Sequence, residues 1–598
     1  MARAKNTKNK QKEESKKPQI KASLAKARAA KSEKFKDTDE DLEKKAKKRS
    51  SAARSGEDAE SMAKRQREIS VSEFFAKNRH LLGFDNPRKA LLTAVKEAVD
   101  NSLDACEEAE ILPVVRVELK RLSEKLAEST EEEKEAALTK KSKRRAPTPT
   151  ERFLLRIIDN GPGILPAQIP KIFAKLLYGS KFHRLKMSRG QQGIGISAAG
   201  MYGQMTTGIP VRIYSKLPKK DLAHFIELQI DTKSNKPVVL AEKEVKWPET
   251  FKSGTIVEIT LEGRYQRGKS SVDEFILQNT LSNPHAHLSY IDPDGQKFDF
   301  PAKTKDLPEI PKEIKPHPYG VELGQFHRLA SETSAKTIKK FLCTDFSRVS
   351  DKVAEAILKE AGVKDQAIAK LAPESLNKIH ESIPKVEIMN PPTDCVVPIG
   401  ENLIMETLRQ KTGAEFFTAT TRSPSVYRGN PFIVECALAF GGELGADEPM
   451  QVFRFANRVP LLFQPAACAT TRVLGRIDWK KYGLNQSKNS LPVGPVAVLV
   501  HVASVWVPFT SESKEAIADY PEIKQEIRLA IQDCARKLSI HLSKRYRAAE
   551  AARKANYIDT YIPFIGEALQ DMLKLSDKQK DTLIETLRDT LEKSKIEA

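Results

Sequence analysis

The sequence predicts a multidomain α+β protein, and three observations carry that reading. A chain of 598 residues is too long for one hydrophobic core. Strand-like runs alternate with helical patterns from about Ser70 to 309 and again beyond 392, whereas residues 325–385 show helical spacing alone. A long amphipathic pattern closes the second mixed region: Ile523, Ile527, Ile531, Cys534, Leu538 and Leu542 recur at spacings of three and four. Five segments follow. These are a basic arm (1–68), a mixed domain (69–309) with a charged insertion at 122–149, a helical domain (310–391), a second mixed domain (392–555) and a separate helical tail (556–598).

The net charge is +20, and half of it lies in the first 50 residues, which hold 18 Lys/Arg against 8 Asp/Glu. With Phe35 as its one aromatic, that arm has too little apolar surface to offset its ordering entropy, which predicts disorder. A basic surplus favours a polyanionic partner, nucleic acid before membrane, although a charge run also serves as a plain solvated tail. The six cysteines (Cys106, Cys343, Cys395, Cys436, Cys468 and Cys534) are scattered, without CxxC or Cys/His spacing. That usage suggests a reducing compartment and no zinc site. No apolar stretch approaches the roughly 18 residues of a membrane span, and no apolar h-region follows the basic N-terminus. A soluble intracellular protein without a membrane partner is expected.

Taken in order, the elements begin with a helix at Asn86-Pro87, an N-cap followed by proline at the first helical position. Ala90, Leu91, Ala94, Val95 and Ala98 continue it to about Ala109. Strands are expected at Val114–Leu119 and Phe153–Ile158, with the Lys/Glu-rich stretch Glu124–Arg145 between them as a solvated insertion. A glycine-rich passage, Gly179 to Gly208, precedes strands at Val211–Ser215, Phe225–Asp231 and Thr255–Leu261. Beyond Pro391-Pro392, strands at Phe432–Phe440, Gln451–Arg458 and Val496–Val505 alternate with helices and suggest βαβ units.

Three pieces carry chemistry. Glu97, Asn101 and Asp104 stand at i, i+4 and i+7 on the first helix, within about 60° of one face. A carboxylate and an amide one turn apart suit a water to be activated and a magnesium to be held. Such a trio can also be an ordinary solvated face. Second, Asp159-Asn-Gly161-Pro-Gly163 follows a strand directly. A carboxylate there can accept from an exocyclic amine such as that of adenine, and the glycines let a flat base approach. The same residues make a good turn. Third, Ser188-Arg-Gly190-Gln191-Gln192-Gly193-Ile194-Gly195 opens a helical run, where backbone amides and the helix dipole suit phosphate oxygens. It lacks the GxxxxGK[ST] of a P-loop. Ser253-Gly254-Thr255 adds a hydroxyl to a candidate base pocket.

In this order, ExxxNxxDA on a helix, DxGxG after a strand, GxxGxG before a helix and a strand-opening Gly-Thr resemble the Bergerat fold of the GHKL ATPases over about residues 70–262. The resemblance implies an α/β-sandwich ATPase domain binding ATP and Mg2+. It makes Glu97 the general base, Asn101 the magnesium ligand and Asp159 the adenine reader, with Asp104, Gly161, Gly163, Thr255, Ser180 and Lys181 around the nucleotide. The loop Gly190–Gly195, with Gln191, Gln192, Gly193 and Ile194, becomes the ATP lid.

Within that superfamily the chain resembles the B subunits of type IIB topoisomerases (topoisomerase VI) from about Ser70 to Ala555. Ser72–Pro87, Gly179-Ser-Lys-Phe-His183, Phe346-Ser-Arg-Val-Ser350, Asn430–Glu435 and Phe455-Ala-Asn-Arg-Val-Pro460 carry the likeness. It implies a helix–two-turn–helix domain over 310–391 and a βαβ transducer domain ending in a long C-terminal helix. Lys514 in Val507–Ala516 matches the family's lysine that reaches the γ-phosphate across the domain boundary, a catalytic role. Trp479-Lys480-Lys481-Tyr482 matches a WKxY DNA-contacting motif, although a surface turn around a half-buried tryptophan is the plainer reading. Arg264, Arg267 and Lys269 resemble a second DNA-facing loop.

The implied partners are double-stranded DNA, a second copy through the ATPase domain on ATP binding, and a cleaving A subunit in an A2B2 assembly that the tail or long helix grips, with a plain solvated tail the alternative for residues 575–598. The implied place of work is the cytoplasmic nucleoid, or the nucleus if the source is eukaryotic. Sensor kinases, MutL and gyrase B fit less well. Neither a phospho-acceptor helix nor a C-terminal dimerisation domain is expected from this sequence, and Asp292-Pro-Asp294, the one faint likeness to an acidic cleavage domain, reads as a Pro-Asp-Gly turn. An ATP-driven clamp without strand passage is the alternative of a different class.

Overall fold

Local chemistry sets the first helix where expected. The computed structural model describes residues 71–122, 150–179, 181, 184–190, 193–231 and 234–597. The basic arm, the insertion Glu124–Arg145 and the loop residues Ser180, Gln191 and Gln192 lie outside these. After the short α1 (Val71–Lys77), Asn86 accepts the Arg88 amide at 2.9 Å and Pro87 opens α2 (Pro87–Glu108). The predicted apolar positions Ala90, Leu91, Ala94, Val95 and Ala98 are all buried.

The first mixed region then runs β1 (Val114–Leu122), β2 (Glu151–Asp159), α3 (Ile169–Ala174), α4 (Gly195–Thr207), β3 (Val211–Lys216), β4 (Leu222–Asp231), β5 (Lys236–Lys246), β6 (Gly254–Gly263), α5 (Val272–Ser282), β7 (His287–Ile291) and β8 (Lys297–Phe300). One eight-stranded sheet results, in the order β5-β4-β3-β6-β2-β1-β7-β8. Its pairings are antiparallel except that of β1 with β7. Alternation gives it two unlike faces. Val115, Val117, Leu119, Leu155 and Ile157 point into a core shared with α2 and α4. On the other face Arg156 pairs with Glu118 and with Glu258, each at 3.2 Å. The layers approach closely at Gly203, where a Cβ would stand 2.6 Å from the Thr260 carbonyl oxygen. This is a two-layer α/β sandwich.

The strand β5 is not among those the sequence marks. It is an edge strand rich in Lys and Glu, and Val238, Val239 and Leu240 stay exposed, so neither period-2 burial nor a clean apolar run announces it. The helical region matches its pattern: α6 (Leu323–Glu332), α7 (Ile338–Asp345), α8 (Asp351–Ala361) and α9 (Pro373–Ser382) close a core of their own around Phe326, Phe341 and Phe346.

The second mixed region holds α10 (Glu401–Thr412), β9 (Phe416–Thr421), β10 (Ser425–Tyr427), β11 (Asn430–Phe440), β12 (Gln451–Ala456), β13 (Val459–Pro460), α11 (Ala469–Arg476) and β14 (Val496–Ser504). β12 and β14 pair in parallel with α11 between them, which is the expected βαβ unit. β14 is buried along its whole length because one face packs with α11 and α12 (Pro521–Leu573) and the other with α10.

The helical tail needs correction. The expected boundary at 555/556 falls inside α12, a continuous helix of 53 residues that ends at Lys574 in the left-handed conformation. Past Leu542 the helix leaves the core and its residues become largely exposed, so the apolar spacing fades while the backbone ladder continues. α13 (Asp577–Glu597) folds back on it, with Arg588 3.3 Å from Asp559.

Candidate functional site

The three chemical pieces converge. α2, the β2 end, the Gly190–Gly195 loop and a loop of the second mixed region surround one cavity of about 470 Å3, within the range of small-molecule sites. Glu97, Asn101, Asp159, Gly163, Thr255 and Lys514 line it, as do Lys181, Gly190, Gly193, Ile194 and Gly195.

Glu97 is 9% exposed and lies against the first residue of α4. A Cβ on Gly195 would stand 1.8 Å from Glu97 Oε2, so only glycine admits the carboxylate beside this helix N-terminus. From the other domain Lys514, 3% exposed, brings Nζ to 3.7 Å from Glu97 Oε1. Lys514 takes φ +52°, a left-handed conformation that costs a non-glycine residue energy. Burial works against its charge. Glu97, Asp100 and Asp104 outweigh burial and hold the ammonium above its ordinary range. Lys96, one residue before Glu97, donates to the Ser513 carbonyl at 3.3 Å; burial and then Lys514 push it down. Asp100 is buried with both carboxylate oxygens lacking a hydrogen-bond partner among the described residues. Burial raises it to about 7, against the pull of Lys96 and Lys514.

Asp159 closes the opposite end. Its Oδ1 accepts the Gly161 and Thr255 amides at 3.0 and 3.1 Å, and Oδ2 accepts Ser102 Oγ at 3.0 Å. Burial raises its carboxyl to about 6 despite those three donors. Gly161 therefore supports Asp159 from behind and does not line the cavity. Ile164, Ile172, Phe173 and Val257 give this end apolar walls.

Asp104 takes a different part from the one expected. It lies off the cavity and clasps the loop: it pairs with Lys181 Nζ, accepts Arg189 at 2.8 Å and accepts the Gly190 amide at 3.4 Å. Burial opposes its charge, but Lys181 and Arg189 hold it below the usual carboxylate range. Arg189, part of the motif yet not singled out by the sequence as a site residue, is the hub of that clasp. It also binds Glu107 bidentately at 2.7 and 2.6 Å. Sequence reasoning missed Ser102 and the apolar walls as well. A hydroxyl next to Asn101 was the one available signal, and a cavity-lining isoleucine looks like any core isoleucine.

Asn101 makes no side-chain hydrogen bond among the described residues, and its Oδ1 lies 3.6 Å from the Cβ position of Gly190. No cluster of three His/Cys/Asp/Glu suited to a metal occurs among the described residues. A lone free amide oxygen fits magnesium, a hard cation that takes few protein ligands when phosphates and water supply the rest.

The expected nucleic-acid contacts divide. Lys480 is exposed on a one-turn 3-10 segment, Trp479–Tyr482, and Lys481 lies 3.7 Å from Asp478. Trp479 is corrected: it is 0% exposed, with Nε1 donating to the Leu474 carbonyl at 2.8 Å, so it anchors the turn and cannot touch DNA. Tyr482 is half-buried beside it. In the second cluster Arg264 is half-buried and Lys269 exposed, while Arg267 is held by Asp292 at 2.5 Å and Asp294 at 3.3 Å. Asp292 Oδ1 accepts the Asp294 and Gln296 amides, which confirms the turn there. No helix among the described residues is long and apolar enough to cross a membrane.

Comparison with known proteins agrees with this geometry. Residues 391–554 match the family described as topoisomerase VI B subunit, transducer. The B subunit of type 2 DNA topoisomerase 6 from Methanococcoides burtonii is 45% identical over 518 residues, covering 86% of this chain and 79% of that protein. The corresponding B subunit from Archaeoglobus fulgidus is 41% identical over 525 residues, covering 88% and 82%. Among solved structures, the ATPase region of Saccharomyces cerevisiae topoisomerase II bound to ICRF-187 is matched over 81% of this chain and 99% of its own, at 11% identity and a TM-score of 0.38.

Proposed function

This chain belongs to the family of type 2 DNA topoisomerase 6 B subunits, and from that premise we propose that its cavity binds and hydrolyses ATP to gate the passage of one DNA duplex through another. The observation that carries the reading is the meeting of Glu97, the N-terminus of α4 and Lys514 at one end of a cavity whose other end is Asp159. Asp159 accepts from the adenine amine while the apolar walls hold the ring. The α4 N-terminus and the glycine loop receive the phosphates on backbone amides. Glu97 takes the proton of the attacking water. Lys514 supplies positive charge to the terminal phosphate, where preorganised charge in a dry site is most effective. Asn101 would hold magnesium, which when bound neutralises phosphate oxygens.

Because Lys514 comes from the second mixed domain, its preference for the nucleotide-bound arrangement biases the angle between domains. Two copies of this chain pair through their ATPase domains when ATP binds, and the movement passes to an A subunit that cleaves, in an A2B2 assembly. Tyr557, Tyr561 and Phe564 form an exposed aromatic stripe at spacings of four and three on the outer half of α12, suited to grip that A subunit. The place of work is wherever the chromosome lies, the nucleoid or a nucleus.

The test is co-expression with a candidate A subunit and an assay for magnesium- and ATP-dependent decatenation. The chain alone should hydrolyse ATP slowly and cut nothing. Hydrolysis without decatenation by the pair would replace strand passage with an ATP-driven clamp.

A further inference from the structure

The chain leading into the glycine loop is held from both sides. From the second mixed domain, the Cys395 carbonyl accepts the Met187 amide at 2.9 Å, and Asn457 Nδ2 donates to the Ser188 carbonyl at 2.9 Å. The same Nδ2 donates to the Ser504 carbonyl at 2.9 Å, while Oδ1 accepts the Ser504 amide at 2.8 Å. One residue further, Arg189 is gripped by the first domain through Asp104 and Glu107.

That grip returns to the second domain. Arg189 reaches Asn283 Oδ1 at 2.5 Å, and Asn283 Nδ2 and Ser282 Oγ both donate to the Arg458 carbonyl, at 3.3 and 2.5 Å. His501 Nε2 accepts the Arg458 amide at 3.0 Å, which leaves Nδ1–H to donate to Glu435 at 2.8 Å. Glu435 accepts the Ile399 and Gly400 amides at the start of α10. Asn457 and Arg458 form the turn between β12 and β13, with φ of +46° and +66°. Such paired left-handed residues are held only where the surroundings over-determine them.

We infer, resting on the proposed ATP-driven function, that Asn457 is a positioning residue that ties the chain leading into the glycine loop to the second mixed domain. A displacement of the lead Met187–Arg189 on nucleotide binding is thereby reported to that domain by a route separate from Lys514. Displacing that lead breaks the Ser188–Asn457 bond and leaves Nδ2 with Ser504 alone, so two positions of the lead differ in interaction free energy with the turn. That difference is what a coupling between sites requires.

Asn457→Asp tests this, because it keeps the oxygen that accepts the Ser504 amide and removes the Nδ2 donor that the Ser188 and Ser504 carbonyls share; Asn457→Gly, which tolerates positive φ, is the second variant. With the A subunit present, strand passages per ATP hydrolysed should fall about tenfold, toward the lower end of the usual coupling range. Dimerisation of the chain by a non-hydrolysable ATP analogue should stay at the wild-type level, although the melting temperature falls in both variants because the bonds to Ser504 go with the one to Ser188. Combined with Lys514→Ala, the two losses should multiply. An unchanged ratio of passages to ATP in both variants, or losses that do not multiply, overturns the inference. So does a loss of analogue-driven dimerisation, the mark of a merely structural residue. A wild-type chain that hydrolyses no ATP would instead sink the proposed function beneath it.

Discussion

Lys514 and Lys480 are both lysines of the second mixed domain, and their surroundings make them opposites. Lys514 is 3% exposed in a strained backbone conformation, faces three carboxylates and lines a cavity built mainly by the other domain. Lys480 stands in water on a turn whose tryptophan is the buried part. A charge held in a low-dielectric joint acts as an individual, since each neighbour changes its energy by a large amount. An exposed charge acts as one member of a sum, screened by salt. Substitutions near Lys514 should therefore change what the chain does, and substitutions near Lys480 only how tightly it holds.

The largest effect belongs to the residue that Lys514 faces. Glu97→Gln keeps the shape that fits against Gly195 but removes the base, and turnover should fall about a thousandfold, within the range for general-base catalysis. ATP-analogue binding and dimerisation should persist. Steady-state hydrolysis alongside equilibrium binding checks both, and turnover within a few-fold of wild type would remove Glu97 from the chemistry. Next comes Lys514→Ala, expected to lower turnover about a hundredfold, as for other preorganised transition-state donors. A wild-type rate would make Lys514 as bland as Lys480 and dissolve the comparison.

The third effect probes the buried charge at the far end of the cavity. Asp159 titrates near 6 because burial outweighs its three donors. Below that pH the acid is protonated and accepts poorly from an amine, so ATP affinity should fall as pH drops from 7 to 5, approaching tenfold per unit. The sign for stability is the reverse of the usual carboxylate: the folded chain binds this proton more tightly than the unfolded one. Asp159 therefore costs stability above pH 6, and the cost disappears on acidification. Asp159→Asn should bind more weakly at pH 7 and lose this step. Titrations of both chains separate it from protonation of the nucleotide, and parallel pH profiles would refute it.

Legibility in the sequence followed the same divide. Glu97, Asn101, Asp159 and the glycines could be read because backbone geometry and hard-oxygen chemistry restrict them to few residue types at fixed spacings. The helix start at Asn86-Pro87 and the βαβ unit of β12, α11 and β14 were legible for local reasons too, a cap and a period. Asp104 was legible as important but misplaced, since spacing put it on the face of Glu97 while Lys181 and Arg189 turn it toward the loop. Arg189, Asn457 and Arg458 were not legible as a joint, because their contacts join residues more than 80 apart. Past Leu542 the helix α12 lost its signal when it lost its core. Trp479 shows the limit of a motif: its match gives residue types, and only burial tells which of them face outward.

The smallest predicted effect sharpens that last point. If Lys480 meets DNA phosphates, Lys480→Ala should reduce the slope of log affinity against log salt by about 0.9, one phosphate contact. Lys481→Ala should take away less, because Asp478 at 3.7 Å already offsets part of its charge. Trp479→Phe should leave that slope alone and instead lower the melting temperature, since it removes the indole donor to the Leu474 carbonyl and leaves that acceptor buried. Affinity measured across a salt series, beside thermal melts of the same three variants, checks the division. A slope altered by Trp479→Phe at unchanged stability would put the tryptophan on the DNA and reverse the reading of this turn. A slope unaltered by Lys480→Ala would leave the turn as surface, and the contact with DNA would have to be sought at Arg264 and Lys269, the cluster whose middle member Arg267 is already held by two aspartates.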